Sequence, residues 1–194
     1  MNILYVHGLS SSGSSHTVAT LRSLLVNDHI VAPDLPMDPF EARTMLLKCV
    51  KDEKIDLVVG TSMGGMFTQK LRGTTKIIVN PAFHVSELMR TQLGVHDFFN
   101  PRRDGVQQFE ITTELCDKYQ QLESTQFENI GEGERKITYG LFGTDDELVN
   151  CQAEFKEHYD HFGLFKGEHR LNETVIKTYL IPLIEEIRKK NHLG

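Results

Sequence analysis

The sequence predicts a three-layer α/β/α sandwich on a mostly parallel six-stranded sheet, with a helical insertion after the fourth strand. Three observations lead there. Short apolar, β-branched runs alternate with helix-periodic segments, the form taken by a parallel sheet with crossover helices. One run, Leu57-Val58-Val59, passes straight into Gly60-Thr61-Ser62-Met63-Gly64 and then into helix-compatible spacing. Two later runs are followed by loops rich in Gly, Asp, Glu and His, and in a parallel sheet all such loops emerge at one edge.

The strands are expected at Ile3-Val6, His29-Val31, Leu57-Val59, Lys76-Val79, Lys136-Phe142 and Phe162-Phe165, in the sheet order 2-1-3-4-5-6. The first crossover helix carries Val18, Leu21, Leu24 and Leu25 on one face. The second is announced by Asp38-Pro39-Phe40-Glu41, a capping Asp before a Pro at the first helical position and a Glu three residues on. Ala42, Met45, Leu46, Cys49 and Val50 then keep 3.6-residue periodicity. After the elbow, Met66, Phe67, Lys70 and Leu71 continue a helix that Gly73 stops. Another helix is expected from Glu147 to Tyr159, and a last one from Asn172 to Lys190 that Pro182 should kink or split. Residues 81–135 exceed an ordinary crossover. They hold an amphipathic stretch with Ile111, Leu115, Tyr119 and Leu122, and the exposed-looking Phe98-Phe99-Asn100-Pro101. Such an insertion either caps the strand ends and supplies apolar substrate contacts, or packs the sheet edge. Residues 1–194 are read as one domain containing it.

Composition narrows the function. The net charge is -6, with 21 basic and 27 acidic residues and no basic stripe interleaved with aromatics, so nucleic acid is not an expected partner. Arg188-Lys189-Lys190 reads as a solvated helix end that favours its dipole. Three widely spaced cysteines form neither a disulfide framework nor a zinc pattern. The first strand starts too early for a signal peptide, and no apolar run nears the ~18 residues of a membrane span. A cytoplasmic protein is expected, with no metal or cofactor; the sequence leaves oligomeric state open.

Gly-X-Ser-X-Gly arises by chance in roughly one chain in fifteen of this length, so its flanks matter. A strand before and a helix after make it a nucleophile elbow. Gly60 and Gly64 stand where side chains would collide as strand and helix are forced together. The Ser62 hydroxyl is pushed above the sheet, and the Met63 N–H at the helix start points at developing negative charge.

A serine needs a base, and the base needs an acid to hold its tautomer. Gly167-Glu168-His169 follows the sixth strand and Gly143-Thr144-Asp145-Asp146-Glu147 follows the fifth. His169 is the expected base and Asp146 the expected acid, with Asp145 and then Glu147 as alternatives. The order Ser, Asp, His is one of several known triad orders. His158 and His161 lie toward the opposite edge, while His84 and His96 fall in the insertion. The second oxyanion donor should come from the loop after the first strand, where Gly8 would turn the chain so that the Leu9 N–H faces the site, and His7 would fix the loop with its ring. Gly8-Leu9-Ser10-Ser11-Ser12-Gly13 also has the glycine spacing of a phosphate-binding loop, but Ser14-Ser15 stands where Lys-Ser/Thr is required.

Taken together, Tyr5-Val6-His7-Gly8-Leu9, Gly60-Thr61-Ser62-Met63-Gly64-Gly65, Val79-Asn80-Pro81-Ala82, Asp146-Glu147-Leu148-Val149, Gly167-Glu168-His169 and the Pro182-bearing last helix resemble the α/β-hydrolase superfamily, and within it the small YqiA/YcfP-type bacterial esterases. The resemblance runs almost end to end. It implies a hydrolase of small-molecule carboxylic esters or thioesters acting through Ser62, Asp146 and His169. Thr61 stands where these esterases more often carry Ser, and Glu168 and Arg170 flank the histidine where smaller or uncharged residues are common. An amidase or peptidase with the same triad, and a catalytically silent interaction domain, are the alternatives.

Overall fold

The alternation of side chains along the strands builds two cores, one on each face of a sheet. In the computed structural model, which describes residues 1–191, Ile3, Tyr5, Leu57, Val59, Ile77, Val79, Tyr139 and Leu141 face one layer, and Leu4, Val6, Val58, Ile78 and Phe142 face the other. The last three residues of the expected domain 1–194 lie outside the described residues. Burial on both faces is what parallel strands require.

The elements follow in order: β1 Asn2–Val6, α1 His16–Leu24, β2 His29–Val31, α2 Pro39–Asp52, β3 Leu57–Thr61, α3 Met63–Gln69, β4 Thr75–Val79, α4 Val85–Arg90, β5 Gly94–Asp97, β6 Gln108–Ile111, α5 Thr113–Glu123, α6 Glu132–Ile137, β7 Thr138–Gly143, α7 Gln152–His158 and β8 His161–Phe165. The chain ends in α8 Glu173–Val175, a π turn Ile176–Leu180 and α9 Ile181–Lys190.

Six strands pair in the order β2-β1-β3-β4-β7-β8, all parallel, which is the expected order. Because β1 and β3 are neighbours, with Val6 opposite Gly60, the loop after β1 reaches the elbow. Helices α1 and α9 cover one face through Val18, Leu21, Ile184 and Ile187. Helices α2, α3, α5 and α7 cover the other through Ala42, Leu46, Met66, Phe67, Tyr119 and Phe155. Every residue of α3 is buried, so the helix that begins at Met63 is held from all sides.

Four boundaries differ from expectation. Lys136 and Ile137 close α6, and the fifth strand of the sheet starts only at Thr138, whose hydroxyl caps back onto the Glu134 carbonyl. The helix expected from Glu147 begins at Gln152, because Asp146 draws the Leu148 and Val149 N–H groups into a turn. The helix after the elbow stops at Gln69, four residues before Gly73. The last helix widens into a π turn immediately before Pro182, which has no N–H to continue the i to i−4 ladder.

The insertion is not purely helical. Between α4 and α5 it holds an antiparallel hairpin, β5 paired with β6. Ile111 ends β6 rather than starting the amphipathic helix, whose buried stripe is Leu115, Tyr119 and Leu122.

Candidate active site

The elbow costs backbone strain, and the neighbouring glycines make room for it. Ser62 has φ 55° and ψ -124°, a conformation L side chains rarely adopt. A Cβ on Gly60 would stand 2.1 Å from Thr68 Oγ1, and one on Gly64 would stand 2.1 Å from the Val6 carbonyl oxygen. The chain is held from below by Ser62 N–H donating to Val79 O, and from above by the Gly65, Met66 and Ala82 N–H groups donating to Ser62 O.

His169 Nε2 lies 2.9 Å from Ser62 Oγ and His169 Nδ1 lies 2.8 Å from Asp146 Oδ2. An ionised carboxylate can only accept, so Nδ1 carries the proton and Nε2 is left to accept from the serine hydroxyl. Asp146 Oδ1 takes the Leu148 and Val149 N–H groups, at 2.9 and 3.0 Å, which fixes its carboxylate plane. The Asp146 side chain is 4% exposed and that of His169 13%, so the pair sits out of bulk water while Ser62 remains reachable from the cleft. Asp145 turns away: its N–H donates to Gly167 O and its carboxylate accepts from Thr144 Oγ1. Glu147 makes neither a hydrogen bond nor an ion pair with His169.

His7 is fixed on both nitrogens. Leu35 N–H donates to Nε2 at 3.1 Å, so Nδ1 bears the proton and donates to Gly8 O at 2.8 Å. Burial lowers its pKa, against the pull of the Gly8 carbonyl. A neutral His7 thus ties the loop after β1 to the chain at Leu35. The reason for Gly8 differs from the expectation. The left-handed turn falls at Ser10, φ 62°, whereas Gly8 clears space: a Cβ there would meet Ser62 Cβ at 3.2 Å. Among the described residues, neither the Leu9 nor the Met63 N–H donates to a protein acceptor. Both are available to a substrate oxygen.

Sequence reasoning missed Asn80. It follows β4 with φ 42°, and its side-chain amide donates to the carbonyls of Glu168 and His169 while its Oδ1 accepts the Gly143 N–H. One buried amide therefore ties the acid loop to the histidine loop. A signal was available: an Asn between a β-branched strand end and Pro81, at the same edge as the elbow, suits both a left-handed turn and a hydrogen-bonding hub.

The cleft above Ser62 measures about 530 Å³. Leu9, Leu88, Phe99, Leu148 and Leu171 give it an apolar wall; Ser10, Ser11, Ser15, Thr17 and Thr61 give it a hydroxyl wall. The Thr61 hydroxyl bonds to Tyr5 Oη at 2.9 Å. Of the adjacent Phe98 and Phe99 only Phe99 lines the cleft; Phe98 packs on Phe109, ring centroids 4.7 Å apart. His84 pairs with Glu154, His96 bonds the Gln92 carbonyl, and His158 and His161 stack on Phe127 and Tyr139. None of these four histidines lines the cleft.

The model of the uncharacterised protein family UPF0227 matches residues 2–179. Among solved structures, Est1E from Butyrivibrio proteoclasticus aligns at 14% identity with a TM-score of 0.63, covering 95% of this chain and 87% of its own. A structure of the metagenome-derived lipolytic enzymes LipS and LipT aligns at 13% identity with a TM-score of 0.69, covering 97% and 93%. The methylesterase MES16 from Arabidopsis aligns at 13% with a TM-score of 0.62, covering 95% and 99%. At these identities the likeness is one of fold, and the fold is that of the α/β-hydrolases.

Proposed function

We propose, for a chain that belongs to the uncharacterised protein family UPF0227 and has the α/β-hydrolase fold, a serine hydrolase that cleaves carboxylic esters or thioesters of small molecules through an acyl-enzyme. The observation that carries this reading is the unbroken pair of hydrogen bonds from Ser62 Oγ through the His169 ring to Asp146, 2.9 and 2.8 Å long. The esterase and lipolytic activities named for the fold neighbours support it.

His169 Nε2 takes the Ser62 proton as Oγ attacks the carbonyl carbon. The oxyanion is received by the Leu9 and Met63 N–H groups, and loss of one such donor typically costs about 10²–10³ in turnover. Asp146 accepts from Nδ1 throughout and stabilises the imidazolium. His169 then protonates the leaving group, the ester bond breaks, and water, deprotonated by the same nitrogen, releases the acid and restores Ser62. Residues 81–135 act in this reading as a cap, since Leu88, Gln92, Phe99 and Asn100 line the cleft. Three free cysteines fit work in a reducing compartment such as the cytoplasm.

The test is a fluorophosphonate probe on the wild type and Ser62→Ala, followed by ester, thioester and amide panels of graded acyl length. Labelling of the wild type that disappears with Ser62→Ala is expected; labelling that survives it rejects Ser62 as the nucleophile. Phe99→Ala should alter selectivity across the acyl panel, and an unaltered profile would remove the cap.

A further inference from the structure

The side chain that follows the proposed catalytic histidine is a cation with no carboxylate partner among the described residues. The Arg170 guanidinium lies over the Phe99 ring, 4.9 Å from its centroid, on the rim of the cleft. Among the described residues it makes no ion pair, as is true also of Arg22, Arg43, Arg72 and Arg103, but of these five arginines Arg170 alone lines this cleft. Arg170, His16 and His169 are the basic side chains lining the cleft, and no Asp or Glu lines it. In a chain of net charge -6 with 27 acidic residues, a carboxylate-free wall around the substrate cleft is a local inversion of the overall charge.

The platform under Arg170 is itself anchored. The Phe99 N–H donates to Ser10 O at 2.7 Å, Asn100 Nδ2 donates to Ser11 Oγ at 3.3 Å, and Ser12 Oγ donates to the Pro101 carbonyl at 2.8 Å. The insertion is thereby tied to the loop that carries Leu9. The anchored backbone of Phe99 holds its ring at the cleft, and the Arg170 guanidinium carried over that ring lines the same cleft. A planar fork next to the reacting centre, with no protein acid to satisfy it, matches a carboxylate or phosphate on the substrate.

Resting on the hydrolase reading above, we infer that the enzyme's substrate class is small esters or thioesters bearing an anionic group distal to the scissile carbonyl, with Arg170, carried on Phe99, as the residue that selects for that charge. The apolar wall of Leu88, Phe99 and Leu148 receives the methylenes between the two ends.

The experiment compares the 4-nitrophenyl monoesters of adipate, pimelate and suberate with neutral 4-nitrophenyl esters of the same chain length, corrected for spontaneous hydrolysis. An arm with a terminal phosphonate separates carboxylate from phosphate recognition. At one or more lengths the wild type is expected to prefer the charged ester in kcat/KM by about tenfold or more, a preference that shrinks with added salt. Arg170→Ala should lower that charged-to-neutral ratio at least about fivefold, through KM for the charged ester, and Arg170→Lys should keep part of it. No charge preference at any length, or an Arg170→Ala variant that loses both substrates in equal proportion, would overturn the inference. Equilibrium binding of adipate monoamide against hexanamide to Ser62→Ala reads the same preference without turnover. Fluorophosphonate labelling separates the two ideas: labelling at Ser62 without charge preference removes the substrate class alone, and absence of labelling removes the hydrolase.

Discussion

Asn80 Nδ2 donates to the His169 carbonyl oxygen at 3.0 Å, although the two residues are 89 positions apart in the chain. The same amide reaches Glu168 O, and its oxygen takes the Gly143 N–H at 2.7 Å. In the proposed reaction Asn80 is a positioning residue: it bonds none of Ser62 Oγ, the His169 ring or the Asp146 carboxylate, and links the loops that carry Asp146 and His169. Asn80→Asp keeps the shape but sets an acceptor-only group against two carbonyls. It should lower kcat by about 10²-fold with KM little changed, and cost about 1–3 kcal/mol of stability for the unmatched buried polar groups. Asn80→Ala should do likewise with a smaller electrostatic cost. Steady-state kinetics and urea midpoints for the two variants check this; wild-type kcat in Asn80→Asp would show that the loops hold their spacing unaided.

Strain at Ser62, the proposed nucleophile, gives a second prediction. At φ 55° and ψ -124° a side chain at position 62 is unfavourable, and glycine is the residue for which it is not. Ser62→Gly and Ser62→Ala both delete the hydroxyl, so their difference isolates the backbone. The glycine variant should be more stable by about 1 kcal/mol, with both inactive. Equal melting temperatures would mean that the elbow stores no strain of this kind.

How much of this could be read from the residues follows from how local each signal is. That Ser62, His169 and Asp146 would meet was legible because strand, elbow and helix are contiguous, and because His169 and Asp146 each follow a strand whose carboxyl edge the parallel order fixes. The Asp38 cap was legible for the same reason, and its carboxylate takes the Phe40 and Glu41 N–H groups. The hairpin of β5 and β6 was not: four-residue strands with burial on alternate positions, such as Gln108–Ile111, give too short a pattern to separate from a loop. The start of the helix at Gln152 was hidden because the Asp146 turn that displaces it is made by the same carboxylate that holds His169. Asn80 was hidden for a different reason, since its three partners lie 63 to 89 residues away.

Glu123, in the insertion, predicts a pH dependence of folding. The residue is 7% exposed, and its carboxylate accepts both the N–H and the hydroxyl of Ser86. Burial raises its pKa; the Ser86 bonds and His84 oppose this, Glu87 adds to it, and the net shift is upward. A raised carboxylate pKa means that the unfolded chain releases the proton first. The contribution is therefore fully present below the unfolded value of about 4.3 and is lost as pH rises through the folded value. Glu123→Gln stays neutral, so its stability relative to the wild type should improve as pH is raised from about 4 to 8. Urea midpoints across that range would refute the idea if the difference between the two proteins stayed constant.

Two glycines beside Ser62 should fail in different ways when given a side chain. A Cβ at Gly64 falls 2.1 Å from Val6 O and 2.6 Å from His7 O, both backbone atoms in or at the end of a central strand. Neither can move without opening the sheet, so Gly64→Ala should cost several kcal/mol, as overpacking of a rigid interior does. At Gly8 the nearest atom is Ser62 Cβ at 3.2 Å, with Ser62 Oγ at 3.7 Å, so a shift of a few tenths of an ångström relieves the contact. That shift is imposed on Ser62, the proposed nucleophile, and on the loop that carries the Leu9 N–H. Gly8→Ala should therefore fold with a midpoint near wild type while kcat/KM falls about 10–10²-fold, a loss of transition-state geometry without loss of structure. Thermal melts and ester kinetics on the two variants separate the cases, and a Gly8→Ala enzyme of full activity would mean that the Leu9 loop and Ser62 can part without cost.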